Sequence, residues 1–210
     1  MKSLWTGKGP YGYNTSETAR MSSNKDEKLH YAAMLLLNYG GGSMQRTNLN
    51  KALFYLDLCW MLERGETFTG VTYVAITHGP VVDGYRERLI LPLLASGQVH
   101  EREVFHRAGV VAKPLTLCGA VPDPEDQRLE LVARHVADWV ASRNAVDLSE
   151  LSHANLGWKT AIERGNGTAI DMTLALEQLA EPDPWLDEPL TPEEQKRINE
   201  RLSGEFVRLE

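Results

Sequence analysis

Apolar residues in the first half of the chain recur at helical spacing. Within residues 25–39 they fall every three to four positions, behind acidic residues in the first turn. These positions are Leu29, Ala32, Ala33, Leu36 and Leu37. The glycines at 40–42 predict the end of this helix, and Thr47 or Asn48 is expected to cap a second one that continues to about Arg64. Because the second helix is apolar nearly all round, we expect it at the centre of a domain.

The pattern then changes to one typical of strands. Residues 68–77, "FTGVTYVAIT", are β-branched and aromatic and predict a strand or one arm of a hairpin. The tripeptide His-Gly-Pro at 78–80 predicts a sharp corner, because proline restricts the residue before it and glycine adopts backbone angles closed to others. We expect this corner to turn the chain toward a helix that begins at Asp83, which Pro92 should end or kink.

The second half of the chain also contains both strand and helix candidates. Residues 98–106 and 110–117 are strand candidates, and Pro114 places the second at an edge. The segment Asp-Pro-Glu-Asp at 123–126 predicts the start of an amphipathic helix. Ser149 and Ser152 are possible caps of a short helix. A further short helix is expected within residues 170–180.

These elements predict a mainly α fold of the α+β class. We expect one compact helical domain at residues 24–180 with a small β-hairpin or sheet. A flexible tail at 1–23 should precede it, and a proline-rich linker with a C-terminal helix should follow at 181–210. A chain of 210 residues, 42% of them apolar, can bury a sizeable core without disulfides or metals.

Charge and cysteine content narrow the class of partner and the compartment. The net charge of -7 argues against broad nucleic-acid binding and is compatible with a basic protein partner. The two cysteines form no metal-ligand spacing and suit a reducing cytoplasm. The first twenty residues lack a continuous apolar segment, so we expect no signal peptide. Because the longest apolar stretch carries Lys51 and Asp57, we expect no membrane span.

Two histidines are candidates for a catalytic role: His78 lies beside a Gly-Pro turn, and His153 follows two serines near a predicted helix start. No nucleophile-elbow, phosphate-loop or zinc-protease motif accompanies them. We therefore expect structural histidines, no catalytic residue, no metal site and no cofactor, while an enzyme that uses His78 or His153 stays open as an alternative. Lys51 and Asp57, on an otherwise apolar helix, should each find a polar partner within the fold.

The order of these motifs resembles a known family. Residues 47–89, from "TNLNKALFYLDLCWML" to "HGPVVDGYRERL", are similar to the opening of the Panacea domain, also called the SocA-like antitoxin domain. The resemblance covers about residues 28–165. Its signature positions are Lys51 and Tyr55 on the helix, His78, Gly79, Pro80 and Val81 at the corner, and His153 and Trp158 near the end.

The resemblance implies an antitoxin that neutralises a cognate toxin by direct protein contact. The toxin is expected from a neighbouring gene, often in a prophage, and family partners include alarmone-synthetase-like and translation-blocking toxins. At least one relative instead delivers its toxin to a cytosolic protease, for which the C-terminal helix is the expected handle here. We expect the toxin to contact one of the two tails and an exposed domain face, with the aromatic residues of the N-terminal tail as the anchors. The residues assigned to these contacts are Trp5, Tyr11, Tyr13, Tyr85 and Arg86. Docking of the aromatic residues of this tail onto the chain's own domain stays open as an alternative.

Overall fold

The computed structural model describes six stretches of the chain. They are residues 15–101, 103–105, 111–112, 114–121, 123–124 and 126–180. The expected anchors Trp5, Tyr11 and Tyr13, and the segment 181–210, lie outside them. The chain divides into two units, residues 1–176 and 177–210, and the packing described below is that of the first.

Helices dominate the described residues. They are α1 (Thr15–Tyr39), α2 (Arg46–Arg64), α3 (Leu91–Ala95), α4 (Gln127–Ala141), α5 (Ala145–Ala154), α6 (Leu156–Arg164) and α7 (Met172–Ala180). A π-helical turn, Arg86–Ile90, leads directly into α3. With the short antiparallel sheets, this confirms the predicted mainly helical α+β class. In this part of the chain, none of the helices combines the length and the apolar character that crossing a membrane requires.

Helix α2 lies at the centre of the first unit, as its apolar sequence predicts. It contacts α1, α4, α5 and strand β3 (Gly79–Val82). Its buried apolar side chains are Leu49, Ala52, Leu53, Phe54, Tyr55, Leu56, Leu58 and Trp60. The predicted cap at Thr47 or Asn48 is wrong, because α2 already begins at Arg46 behind the extended residue Gln45. Strand β1 (Ser43–Met44) ends just before this point and pairs antiparallel with residues 115–116, which fixes where the chain enters the helix.

Helix α1 starts at Thr15, well before the start near Asn24 that apolar spacing predicts. Residues 15–23 are almost entirely polar, so the apolar pattern cannot reveal them as helical. The domain limits of 24–180 and the separate tails remain predictions.

Strands β2 (Tyr73–Ile76) and β3 form the expected hairpin. They pair antiparallel from Tyr73 opposite Val82 to Ile76 opposite Gly79, and β8 (Thr168–Ala169) covers the other side of β2. The corner predicted at 78–80 needs correction, since the tight turn is Thr77–His78, while glycine and proline already belong to β3. Proline is tolerated there because β3 is an edge strand of this sheet.

The two strand candidates after α3 are each divided. The segments are β4 (Val99–Glu101), β5 (Val104–Phe105), β6 (Val111–Ala112) and β7 (Leu115–Leu117). The predicted edge position of the last strand is wrong, because β7 is central in its sheet, between β1 and β4. Pro114 precedes β7 and so removes no hydrogen bond from its ladder.

Pro92 does not end the helix that follows the hairpin. The chain is wound as a π-helical turn before it and continues to Ala95. In an α-helix, the N–H of residue 92 would donate to the carbonyl four residues earlier, which is that of Arg88. Proline has no N–H and cannot make this hydrogen bond. His30 Nε2 of α1 instead donates to this carbonyl at 2.5 Å.

Asparagine and aspartate side chains, and not the predicted residues, begin the last helices. Asp126 caps α4 by accepting from the Arg128 N–H, so the predicted start at Asp123 is wrong. Asn144 caps α5 and Asn155 caps α6. Ser149 and Ser152, predicted as caps, lie inside α5 instead. Helix α7 confirms the helix expected within residues 170–180.

Candidate functional site

Lys51 of α2 is buried beneath the β2–β3 hairpin. Only 2% of the residue is exposed, and its Nζ donates to the His78 carbonyl and to Ser149 Oγ, each at 3.1 Å. Burial lowers the pKa of this ammonium group, because removal from water disfavours the charged form. Lys51 thus ties the hairpin turn and α5 to the central helix.

Gly79 lets the hairpin lie directly against α5. Its φ is +112°, and a Cβ placed on it would be 2.7 Å from Ser152 Oγ and 3.3 Å from Lys51 Cε. A larger residue would therefore meet both a strained backbone angle and two side chains. Ser152 is itself fully buried and donates from Oγ to the Ser149 carbonyl at 2.9 Å.

His153 and Trp158 close the same site from α5 and α6. Their rings stack with centroids 4.2 Å apart and an angle of 16° between the planes. Trp158 Nε1 donates to the Ile76 carbonyl of β2 at 3.1 Å. The pKa of His153 is lowered by burial first, and then by the charges of Lys51 and His78, against a hydrogen bond to the Thr77 backbone.

The structure therefore brings five of the eight predicted signature residues to one place. We call this the signature cluster and define it as Lys51, His78, Gly79, Ser149, Ser152, His153 and Trp158. Pro80 and Val81 continue from it along β3, opposite Ala75 and Val74. Tyr55 lies elsewhere, with its ring edge against Trp139 of α4 at 4.8 Å, and burial raises its pKa to about 12.

The domain residues expected to contact the toxin lie just beyond the hairpin. Tyr85 is half-buried against the core, and Arg86 is exposed at the start of the π-helical turn. Their proposed role in binding stays a prediction, as does that of the tail anchors.

The second polar residue of the apolar helix, Asp57, has a structural environment. Its buried carboxylate accepts from the Thr69 N–H at 2.9 Å, from Thr69 Oγ1 and from the Tyr73 hydroxyl at 2.8 Å. Burial raises the pKa of this carboxyl group, while the hydrogen bonds oppose the rise. The prediction that Lys51 and Asp57 find polar partners is confirmed.

Sequence reasoning missed the parts that Ser149, Ser152 and Asn50 take in the site. The two serines were expected to be caps, although their spacing of three with His153 one position later places them on one helical face. Asn50 is buried, and its Oδ1 accepts from the Val82 N–H at 3.2 Å, which ties the end of β3 to α2. The sequence signal for this contact is an asparagine next to a lysine within an otherwise apolar helix.

Metal-ligating side chains do not gather in the part of the chain that the structure describes. No group of three or more histidine, cysteine, aspartate or glutamate residues there could hold a metal ion. The polar side-chain groups of the cluster are instead one ammonium, two hydroxyls, two imidazoles and one indole N–H.

A family model, described as "Antitoxin SocA-like, Panacea domain", matches residues 49–159, more than half of the 210-residue chain. The chain belongs to this SocA-like Panacea family. A search of curated proteins and a search of solved structures each found no match. The family region begins in α2, ends in α6 and contains the whole signature cluster.

Proposed function

We propose that this Panacea-domain chain is an antitoxin that neutralises a cognate toxin by direct protein contact in the cytoplasm. The observation that carries the proposal is the family match over residues 49–159, which includes every residue of the signature cluster. The toxin is expected from a neighbouring gene. Family membership also favours a binding role over an enzymatic one.

The arrangement of α5 and α6 supports a protein-binding face. Val146, Leu151 and Leu156 lie on the two helices that carry His153 and Trp158, and they are 65%, 42% and 42% exposed. Exposed apolar side chains on the helices that carry the polar cluster suit the centre of a protein interface. The net charge of -7 favours association with a basic toxin, since complementary fields steer the encounter.

Co-expression with the adjacent gene tests this function. The neighbour is expressed alone and with a tagged copy of this chain, and growth and the recovered complex are measured. Growth arrest that the chain relieves, together with a stable complex, supports neutralisation by binding. Relief in which the toxin disappears through a cytosolic protease supports a delivery adaptor, and an absence of both toxicity and complex contradicts the proposal.

The histidines provide the test against catalysis. We expect His78→Ala to fold and to keep relieving the arrest, since its side chain is exposed and only its backbone holds Lys51. A His78→Ala or His153→Ala chain that folds and still binds the toxin, but no longer relieves the arrest, would favour an enzyme.

A further inference from the structure

We propose that Lys51, Ser149 and His153 of the signature cluster form a binding site for one carboxylate group, presented by an aspartate or glutamate side chain of the toxin. The proposal deepens the antitoxin function above and rests on it. It starts from three polar groups near the hairpin turn whose hydrogen-bonding capacity is not fully satisfied by the described part of the chain.

The first two groups are the ammonium of Lys51 and the hydroxyl of Ser149. An ammonium has three N–H donors, and two of those on Lys51 serve the His78 carbonyl and Ser149 Oγ. Ser149 Oγ accepts from Lys51, and its own proton has no acceptor among the described residues. Both groups therefore offer a donor to a ligand that accepts hydrogen bonds.

The third group is the imidazole of His153. Its Nε2 is buried and has no hydrogen-bond partner among the described residues, while the ring already bonds to the Thr77 backbone. Protonation would turn Nε2 from an acceptor into a third donor of the cluster. An anion is the ligand that would favour this protonation.

The charges around the cluster also point to an anion. The titratable groups that face His153 are Lys51 from α2 and His78 from the hairpin turn, and both are bases. Within the described residues, the hydrogen-bond partners of the Lys51 ammonium are a carbonyl and a hydroxyl, and none is a carboxylate. A buried charge without an opposite charge is costly, and a carboxylate would offset this cost through charge-assisted hydrogen bonds.

The amount of positive charge favours a carboxylate over a phosphate. The lowered pKa of His153 disfavours its imidazolium form, so the buried ammonium of Lys51 is the positive charge that the site offers to a ligand first. One positive charge matches the single negative charge of a carboxylate. The more exposed side of the cluster is that of the turn, where His78 is exposed and Ser149 and His153 are half-buried.

Acetate is the probe for the site itself, and it requires no toxin. The imidazole signals of His153 are followed by NMR through a pH titration in sodium acetate and, at equal ionic strength, in sodium chloride. We expect acetate to raise the pKa of His153 by about one pH unit, because a negative charge within a few ångströms favours the imidazolium. Identical titrations in the two salts would overturn the proposal, and a larger rise in inorganic phosphate would overturn the choice of a carboxylate.

Single-residue variants test whether acetate acts on His153 from the proposed site. Ser149→Ala and Lys51→Met should lose the response to acetate while the circular dichroism spectrum stays unchanged. Lys159→Met is the matched control, because Lys159 is an exposed lysine on α6 and its removal should leave the response intact. An unchanged response in Ser149→Ala would place acetate elsewhere and contradict the assignment, even if Lys51→Met does not fold.

The same variants test whether the toxin, and not only acetate, binds at the carboxylate site. In the pull-down with the adjacent gene product, Ser149→Ala should weaken binding by about tenfold, as expected for one lost charge-assisted hydrogen bond. Unchanged binding would show that the toxin does not supply the carboxylate. If the unmodified chain binds acetate but no toxin, the antitoxin function fails and the carboxylate site stands.

Discussion

At the scale of single residues, the contact between Gly79 and Ser152 determines how closely the hairpin approaches α5. We predict that Gly79→Ala lowers the free energy of unfolding by about 2–4 kcal/mol, because it combines a positive φ with overpacking against Ser152 Oγ. Urea denaturation followed by tryptophan fluorescence measures this loss. Gly41→Ala is the control, since Gly41 has φ +86° and nothing within 4 Å of an added Cβ. Equal losses in the two variants would show that close packing adds nothing at Gly79.

Lys51 predicts a pH dependence of stability with a defined sign. Burial lowers its pKa in the folded protein below the ordinary value of 10.5. Between these two values the unfolded chain binds more protons than the folded chain, so the contribution of Lys51 to stability rises with pH. The difference in unfolding free energy between the unmodified chain and Lys51→Met should therefore move in favour of the unmodified chain as the pH rises toward 10.5. A difference that is flat or falls with pH would contradict this prediction.

At the scale of secondary-structure elements, the π-helical turn and α1 are linked through one carbonyl. His30 Nε2 donates to the Arg88 carbonyl, which Pro92 leaves without its usual helical donor. We predict that His30→Ala costs about 1–2 kcal/mol of stability and that the cost shrinks in a Pro92→Ala background, where the new N–H serves the same carbonyl. A double-mutant cycle by urea denaturation measures this coupling.

The control for this double-mutant cycle is a histidine on α4. His135→Ala, at an exposed position of α4, should change stability by less than about 0.5 kcal/mol in either background. If His30→Ala costs the same with and without Pro92, then the carbonyl is not the shared partner.

The elements also show what the sequence can predict and where it stops. The central position of α2 and the hairpin follow from local apolar patterns, which is why both are found from the sequence. The polar start of α1 and the central position of β7 are missed, because neither polar helices nor sheet order leave an apolar period. Lys51, Gly79, His153 and Trp158 are recognisable by resemblance to the family. Their meeting around one turn, with Ser149 and Ser152 between them, depends on contacts between residues distant in sequence.

At the scale of the whole molecule, the proposed binding surface combines the domain with its N-terminal segment. Residues 1–14 precede α1 and carry Trp5, Tyr11 and Tyr13, the aromatic residues expected to anchor the toxin. We predict that deleting residues 1–14 abolishes relief of the growth arrest and leaves the urea midpoint of the domain unchanged. The cut at residue 14 is preferable to one at residue 23, because the longer deletion also removes the first turns of α1.

A matched variant distinguishes loss of the anchors from loss of length. The full chain with Trp5, Tyr11 and Tyr13 all changed to alanine should fail in the co-expression assay as the shortened chain does. Retained relief by this variant alone would assign the contribution to other residues of the segment. Full protection by the shortened chain would remove the segment from the interface altogether. The contact would then have to lie on the domain, which exposes apolar residues on α5 and α6, the helices that carry His153 and Trp158, and exposes Arg86 beyond the hairpin.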